Sequence, residues 1–273
     1  MRLIAWPTTD VGRIRSHNED AYLVDPRLGL YLVADGMGGH AGGAYASRAC
    51  VEAFREVVSR GLGSLLSEPS DPTQHMNELL AAAAGEASAC IFDEAERDPA
   101  LHGMGTTLTG VLFHGAHAYI THVGDSRCYL IRNGTVRQLT TDHSWLNEQI
   151  EAGLLTEEQA AESELRHIIT RSIGFEREVE PDILTVHVSP GDAFLLCSDG
   201  MSNYIECEEL AGLACQHYYG DLSKACANLA LSRGGEDNVT VLTVLACNDV
   251  DERRPAGASQ PMPAAGTAAT TPR

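Results

Sequence analysis

Two periods of apolar residues alternate along this chain, and that alternation limits its fold more than any single residue does. A strand pair leads into the glycines after Val33. AYASRACVEAFREVVSRG then places Ala46, Cys50, Phe54 and Val57 at helical spacing. HMNELLAAAAGEASACIF repeats the spacing with Met76, Leu79, Leu80, Ala83, Ala87 and Ile91, which predicts two antiparallel helices joined by a loop from Gly61 to Gln74. TTLTGVLFHG, AHAYITHVG, RCYLIRNG and TVRQLTT are β-rich, Asn133-Gly134 is a hairpin signal, and the four runs read as one antiparallel meander. SWLNEQIEAGLLTEEQAAE returns to helical spacing, and strands follow at DILTVHV and AFLLCSDG. ECEELAGLACQ and DLSKACANLALSR form a second helix pair, stopped by Gly234-Gly235, before the closing strand NVTVLTVLAC. Each apolar face needs a covering layer, so the pattern fits an α+β fold: two stacked antiparallel sheets with helices on their outer faces, in one domain.

The formal charge of −19 argues against a general nucleic-acid binder, which needs a basic surface to displace counterions. Acid clusters such as EPSD, FDEAERD and TEEQAAESE read as solvated faces, while part of the remaining charge is available to cations. No run approaches the ~20 apolar residues of a membrane span, and MRLIAWPTTD lacks the apolar core of a signal peptide, so the expectation is a cytoplasmic protein without membrane contact; a monomer is expected besides. The eight cysteines form no C-x-x-C pair and predict buried free thiols in place of zinc or redox work. Residues 249–273 carry no aromatic and almost no aliphatic side chain larger than alanine, which predicts a disordered Ala/Pro/Thr-rich tail after a domain at 1–248.

Aspartates recur where strands meet turns. Asp35 ends the run before GMGGHAGG, Asp125 follows AYITHVG, Asp199 follows AFLLCS, and Asp237 precedes NVTVLTV. A lone aspartate there is a turn former or helix cap. If the strands lie side by side, however, their ends gather the acids, and clustered carboxylates do not all ionise unless a cation compensates them. Oxygen ligands without His or Cys pairs favour Mg²⁺ or Mn²⁺. A rival reading takes Gly36-x-Gly38-x-x-Ala41 as a dinucleotide loop. It fails on context: a second helix, not a parallel strand, follows the first, and Asp35 would repel a pyrophosphate.

In order, TDVGRIRSHNEDA, VADGMGGHAGG, MGTTL, HVGDSR, TTDHS, LLCSDG and GGEDNVTV resemble the motifs of the metal-dependent protein phosphatases, the PPM or type 2C family, in its bacterial stand-alone form, over roughly residues 8 to 247. The resemblance implies an α-β-β-α sandwich with two Mn²⁺ or Mg²⁺ ions at its edge and a weaker third. It implies that Asp35 bridges two ions, that the Gly36 carbonyl binds one of them and Asp199 with Asp237 the other, and that Asp20 and Glu19 act through metal-bound waters. Asp125 and Asp199 match the third site. Arg15 matches the phosphate-binding arginine, and His40 the general acid that protonates the leaving oxygen. His17, His122 and His143 read as supporting or packing residues, Thr106 and Thr107 as hydrogen-bonding ones. The segment 145–166 corresponds to a variable flap.

The function so implied is hydrolysis of phosphoserine and phosphothreonine in proteins by a hydroxide held between two metals, opposing a Hanks-type Ser/Thr kinase. Two other readings are a fold relative that lost its metals, against which every matched acid is present, and a phosphatase of small metabolites.

Overall fold

A computed structural model describes residues 1–38, 41–63, 71–156, 159, 163, 165 and 168–248. His40, much of the second half of the expected flap and the expected tail at 249–273 lie outside these described residues.

One sheet has five strands in the order β1 (Arg2–Asp10), β11 (Val239–Cys247), β10 (Ala193–Cys197), β7 (Arg127–Arg132), β8 (Thr135–Gln138). The other runs β2 (Asp20–Asp25), β3 (Leu30–Met37), β5 (Leu108–His114), β6 (His117–Val123), β9 (Asp182–His187), with the two-residue β4 (Gly105–Thr106) on the end of β3. Every pairing is antiparallel.

The inner strands β3, β5, β6, β7, β10 and β11 read as nearly continuous apolar runs because both of their faces are covered. Tyr31 and Val33 of β3 face the other sheet, and Leu30 and Leu32 face helices α1 (Ala41–Gly63) and α2 (Pro72–Arg97). On β10, Phe194 and Leu196 enter the space between the sheets, while Leu195 and Cys197 pack beneath α5 (Cys207–Gln216) and α6 (Tyr219–Ser232). Phe113 meets Tyr31 and Phe194 edge to face at 5.7 and 5.2 Å, tying the sheets together. Three apolar layers thus give the expected α-β-β-α sandwich.

The meander is a correction. β5 and β6 form a hairpin in one sheet, whereas β7 and β8, joined through Asn133-Gly134, form a hairpin in the other. The chain changes sheets at Gly124–Ser126. Gly124 has φ +105, and a Cβ there would strike the Thr107 side chain, so glycine permits the corner. Short-range periodicity cannot distinguish a third meander strand from a strand that leaves for another layer. In the segment expected as a flap, helix α3 (Trp145–Glu151) is capped by the Ser144 hydroxyl, which accepts from the Asn147 N–H at 3.3 Å. All eight cysteines are free, but only Cys50, Cys128, Cys197 and Cys226 are buried; Cys90 and Cys215 are exposed, contrary to expectation.

Candidate active site

The topology gathers the aspartates at one edge of the sandwich. Asp20 opens β2, and Asp35 lies directly across from it on β3. Asp125 sits at the corner between sheets, Asp199 begins the single turn α4 (Asp199–Ser202) after β10, and Asp237 ends the loop before β11. Asp35, Gly36, Asp125, Asp199 and Asp237 line one cavity of ≈ 680 Å³, together with Arg15 and Glu19. Asp20 is not in the lining but is the register partner of Asp35. A separate depression of ≈ 420 Å³ beside Tyr218 and Tyr219 carries no acid and offers no comparable chemistry.

Hydrogen bonds fix this edge from both sheets. Asp35 donates its N–H to Thr107 Oγ1 at 2.9 Å, and its carbonyl accepts from the Thr106 hydroxyl and the Thr107 N–H at 2.9 Å each. Thr107 Oγ1 meets Ser126 Oγ at 2.7 Å, so the strand holding Asp35 is tied to the corner holding Asp125. Asn238 anchors the loop that carries Arg15: its amide donates to the Val11 and His17 carbonyls at 2.9 Å, and its Oδ1 accepts from the Glu19 N–H at 2.8 Å. Asn238 and Ser126, neither of them expected from the sequence, support the residues that line the cavity. Both stand inside quoted motifs, GGEDNVTV and HVGDSR, but their partners are remote in the chain.

The predicted site residues fall into two groups. Arg15, Glu19, Asp20, Asp35, Gly36, Asp125, Asp199 and Asp237 are together, whereas His17 is an exposed side chain that contributes its backbone carbonyl. His122 and His143 are buried beneath the corner with ring centroids 4.8 Å apart; burial, then the neighbouring His143, pushes His122 down to about 3, so it stays neutral and structural.

Electrostatics tests whether cations belong here. Desolvation, then the charges of Asp20, Asp199, Asp125 and Asp237, holds the Asp35 carboxyl well above the ordinary carboxylate range. Asp20 is pushed up to about 7 by desolvation, against hydrogen bonds from Thr240 and Ser198, with Asp199 and Asp237 adding to the rise. Asp125 reaches about 7 through desolvation and the charges of Asp199 and Asp142. Asp20 Oδ1 is buried with no hydrogen-bond partner among the described residues. A set of carboxylate and carbonyl oxygens that oppose one another's ionisation fits hard divalent cations.

Among the described residues, no three acid, imidazole or thiol groups stand ready around a single ion. Three of the acids lean on a neighbouring donor instead: Asp20 on the Ser198 hydroxyl at 2.8 Å, Asp199 on the Asn203 amide at 3.1 Å, and Asp237 on Arg15 at 2.7 Å. Among these residues, no helix is long and apolar enough to cross a membrane.

Known proteins resemble this chain in sequence and in fold. The family model of protein phosphatase 2C matches residues 13–230. The serine/threonine phosphatase Stp of Listeria welshimeri is 36% identical over 245 residues, covering 86% of this chain and 93% of its own. The serine/threonine protein phosphatase PstP of Mycobacterium tuberculosis is 35% identical over 234 residues, 86% of this chain and 43% of PstP. A crystal structure of the M. tuberculosis phosphatase PstP/Ppp superposes with a TM-score of 0.81 at 33% identity, over 91% of this chain and 100% of that one. The PstP catalytic domain in complex with two manganese ions gives 0.76 at 31% identity, over 90% and 99%. A match across most of the chain, with sequence and fold agreeing, leads to one assignment: this chain belongs to the protein phosphatase 2C family.

Proposed function

We propose that this protein phosphatase hydrolyses phosphoserine and phosphothreonine in proteins with the help of two divalent cations, Mn²⁺ or Mg²⁺. The observation that carries the reading is the Asp35 carboxyl, desolvated and faced by four other aspartates in a cavity that also holds an arginine. Asp35, the Gly36 carbonyl, Asp199 and Asp237 would hold the pair, with Asp20 and Glu19 acting through water and Asp125 with Asp199 taking a weaker third ion. The cations would supply charge compensation and an acidified water as nucleophile near neutral pH.

The chain's own groups do the rest. Asp20 and Asp35 stay ionised only when compensated, so they hold positive charge where the phosphoryl group reacts. Arg15 has a planar fork suited to two phosphoryl oxygens, and it is exposed enough to turn from Asp237 to a substrate. His40 would donate the proton to the departing Ser or Thr oxygen. The catalytic unit is assigned to residues 1–248, with 145–166 as flap and 249–273 outside the chemistry. The proposed setting is a cytoplasmic monomer that opposes a Hanks-type Ser/Thr kinase and its substrates.

The test is phosphate release from phosphoserine and phosphothreonine peptides. Activity should need Mn²⁺ or Mg²⁺, disappear with EDTA and return on metal addition; full activity in chelated enzyme would sink the reading.

A further inference from the structure

A groove of ≈ 440 Å³ adjoins the acid-lined cavity, sharing Met37 and Ile169 with it, and runs along the segment 169–180. This segment belongs to no strand or helix, yet it is fixed at several points. Ile173 and Thr106 exchange N–H···O bonds at 2.8 and 2.9 Å. Ser88 of α2 accepts from the Gly174 N–H at 2.9 Å and donates to the Glu176 carbonyl at 2.8 Å. Arg177 pairs with Asp93 at 3.1 Å, and Arg171 with Asp182 at 2.9 Å. Gly174 has φ +88, and a Cβ there would strike Ile91, so the turn that lifts the next residue outward needs glycine.

That next residue is Phe175, 64% exposed although its backbone is held. Glu176, Glu178 and Glu180 stand exposed around it and line the groove with it. Both arginines of the segment are engaged by Asp182 and Asp93, whereas none of the three glutamate side chains is in a salt bridge among the described residues. An aromatic ring on a fixed loop loses little entropy when a partner covers it. Three carboxylates outside those ion pairs give that partner a required sign.

We propose that this groove receives the stretch of phosphoprotein chain flanking the phosphorylated residue, and that it selects chains with Arg or Lys and an apolar side chain close to that residue. The proposal rests on the phosphatase reading of the adjoining cavity. Continuity through Met37 and Ile169 lets one extended chain occupy both, since each residue advances it by ~3.3–3.6 Å. Phe175 takes the apolar side chain, and the glutamates take the cation.

The test compares kcat/KM of the Mn²⁺-loaded enzyme on two phosphothreonine peptides of equal length, one flanked by Arg and Leu, the other by Glu and Ala, with p-nitrophenyl phosphate as a third substrate. The triple variant Glu176→Gln, Glu178→Gln, Glu180→Gln should lower the preference for the basic peptide by ~5–20-fold, through KM, given the modest strength of exposed pairs. Phe175→Ala should raise KM for the Leu-containing peptide by ~3–10-fold. An unchanged preference in both variants, or a matching loss on p-nitrophenyl phosphate, overturns the proposal. If the wild-type enzyme releases phosphate from none of the three substrates, the phosphatase reading fails instead. The groove is then judged by anisotropy of the fluorescein-labelled basic peptide: weaker binding to the triple variant upholds it, and equal binding overturns it.

Discussion

Asp20 and Asp35 are register partners, facing each other across the antiparallel pair β2–β3. Like charges directly opposite on paired strands destabilise a sheet, and this pair is also desolvated. Both carboxyls are raised, Asp20 to about 7. For an acid raised on folding, the stabilising contribution is complete below its unfolded pKa of ~4 and is lost as pH rises through the folded value. Chelated protein should therefore lose stability between pH 5 and 8, where cations compensate the ionised acids. The gap in Tm between Mn²⁺ and EDTA should be small at pH 5 and widen towards pH 8, with ~2.7 kcal/mol at a hundredfold excess over Kd. A gap independent of pH would mean that the metal binds elsewhere.

Asp199→Asn and Asp237→Asn should each lower kcat by two orders of magnitude or more, with a large loss of Mn²⁺ affinity by calorimetry, because each removes a proposed ligand of the metal pair; second-sphere changes typically reach only ~10–100-fold. Asp125→Asn should leave the high-affinity ions in place and still slow turnover. Equal loss of metal in all three variants would contradict the division between a pair and a weaker third site.

The layers of the fold were legible because helical and strand periods are local properties of sequence, and the acids stood out because each breaks an apolar run at its end. The corner at Gly124–Ser126 was not legible. Both a continued meander and a change of sheet put a strand at Arg127–Arg132, and the choice rests on Gly124 packing against Thr107, a contact between separate strands. Asn238 was invisible for the same reason: its three partners belong to the loop 11–19. The groove along 169–180 carries no periodicity to read, because its shape comes from Ser88, Asp93 and Thr106.

Thr107→Val should act on both halves of the site at once. It leaves the Asp35 N–H and the Ser126 hydroxyl short of a partner. A buried group left unpaired costs ~1–3 kcal/mol, which denaturant unfolding would register. Turnover should fall by ~10-fold or more as Asp35 and Asp125 lose their common support. Thr107→Ser should restore both; if it restores stability alone, the hydroxyl does not position the acids.

His40→Ala should separate proton donation from metal holding. An alkoxide leaving group needs protonation in the transition state, whereas nitrophenolate departs unaided, so phosphopeptide turnover should fall ~10²–10⁴-fold with p-nitrophenyl phosphate much less affected. Mn²⁺ binding by calorimetry should persist. Equal losses on both substrates would assign His40 to another task.

Arg15 is bonded to Asp237 at 2.7 Å, yet its side chain is 52% exposed. Such a pair contributes ~0–1 kcal/mol, so a phosphoryl dianion can draw the guanidinium away from Asp237 at small cost. Lysine would keep the charge and lose the planar fork that grips two oxygens. Arg15→Lys should therefore raise KM for p-nitrophenyl phosphate by ~10-fold while leaving Tm nearly unchanged, and Arg15→Ala should raise it further. Mn²⁺ affinity should hold or improve in the alanine variant, because a cation beside Asp237 has been removed. A fall in Mn²⁺ affinity with KM unaltered would make Arg15 a support for Asp237, and phosphate recognition would have to come from other donors around the cavity.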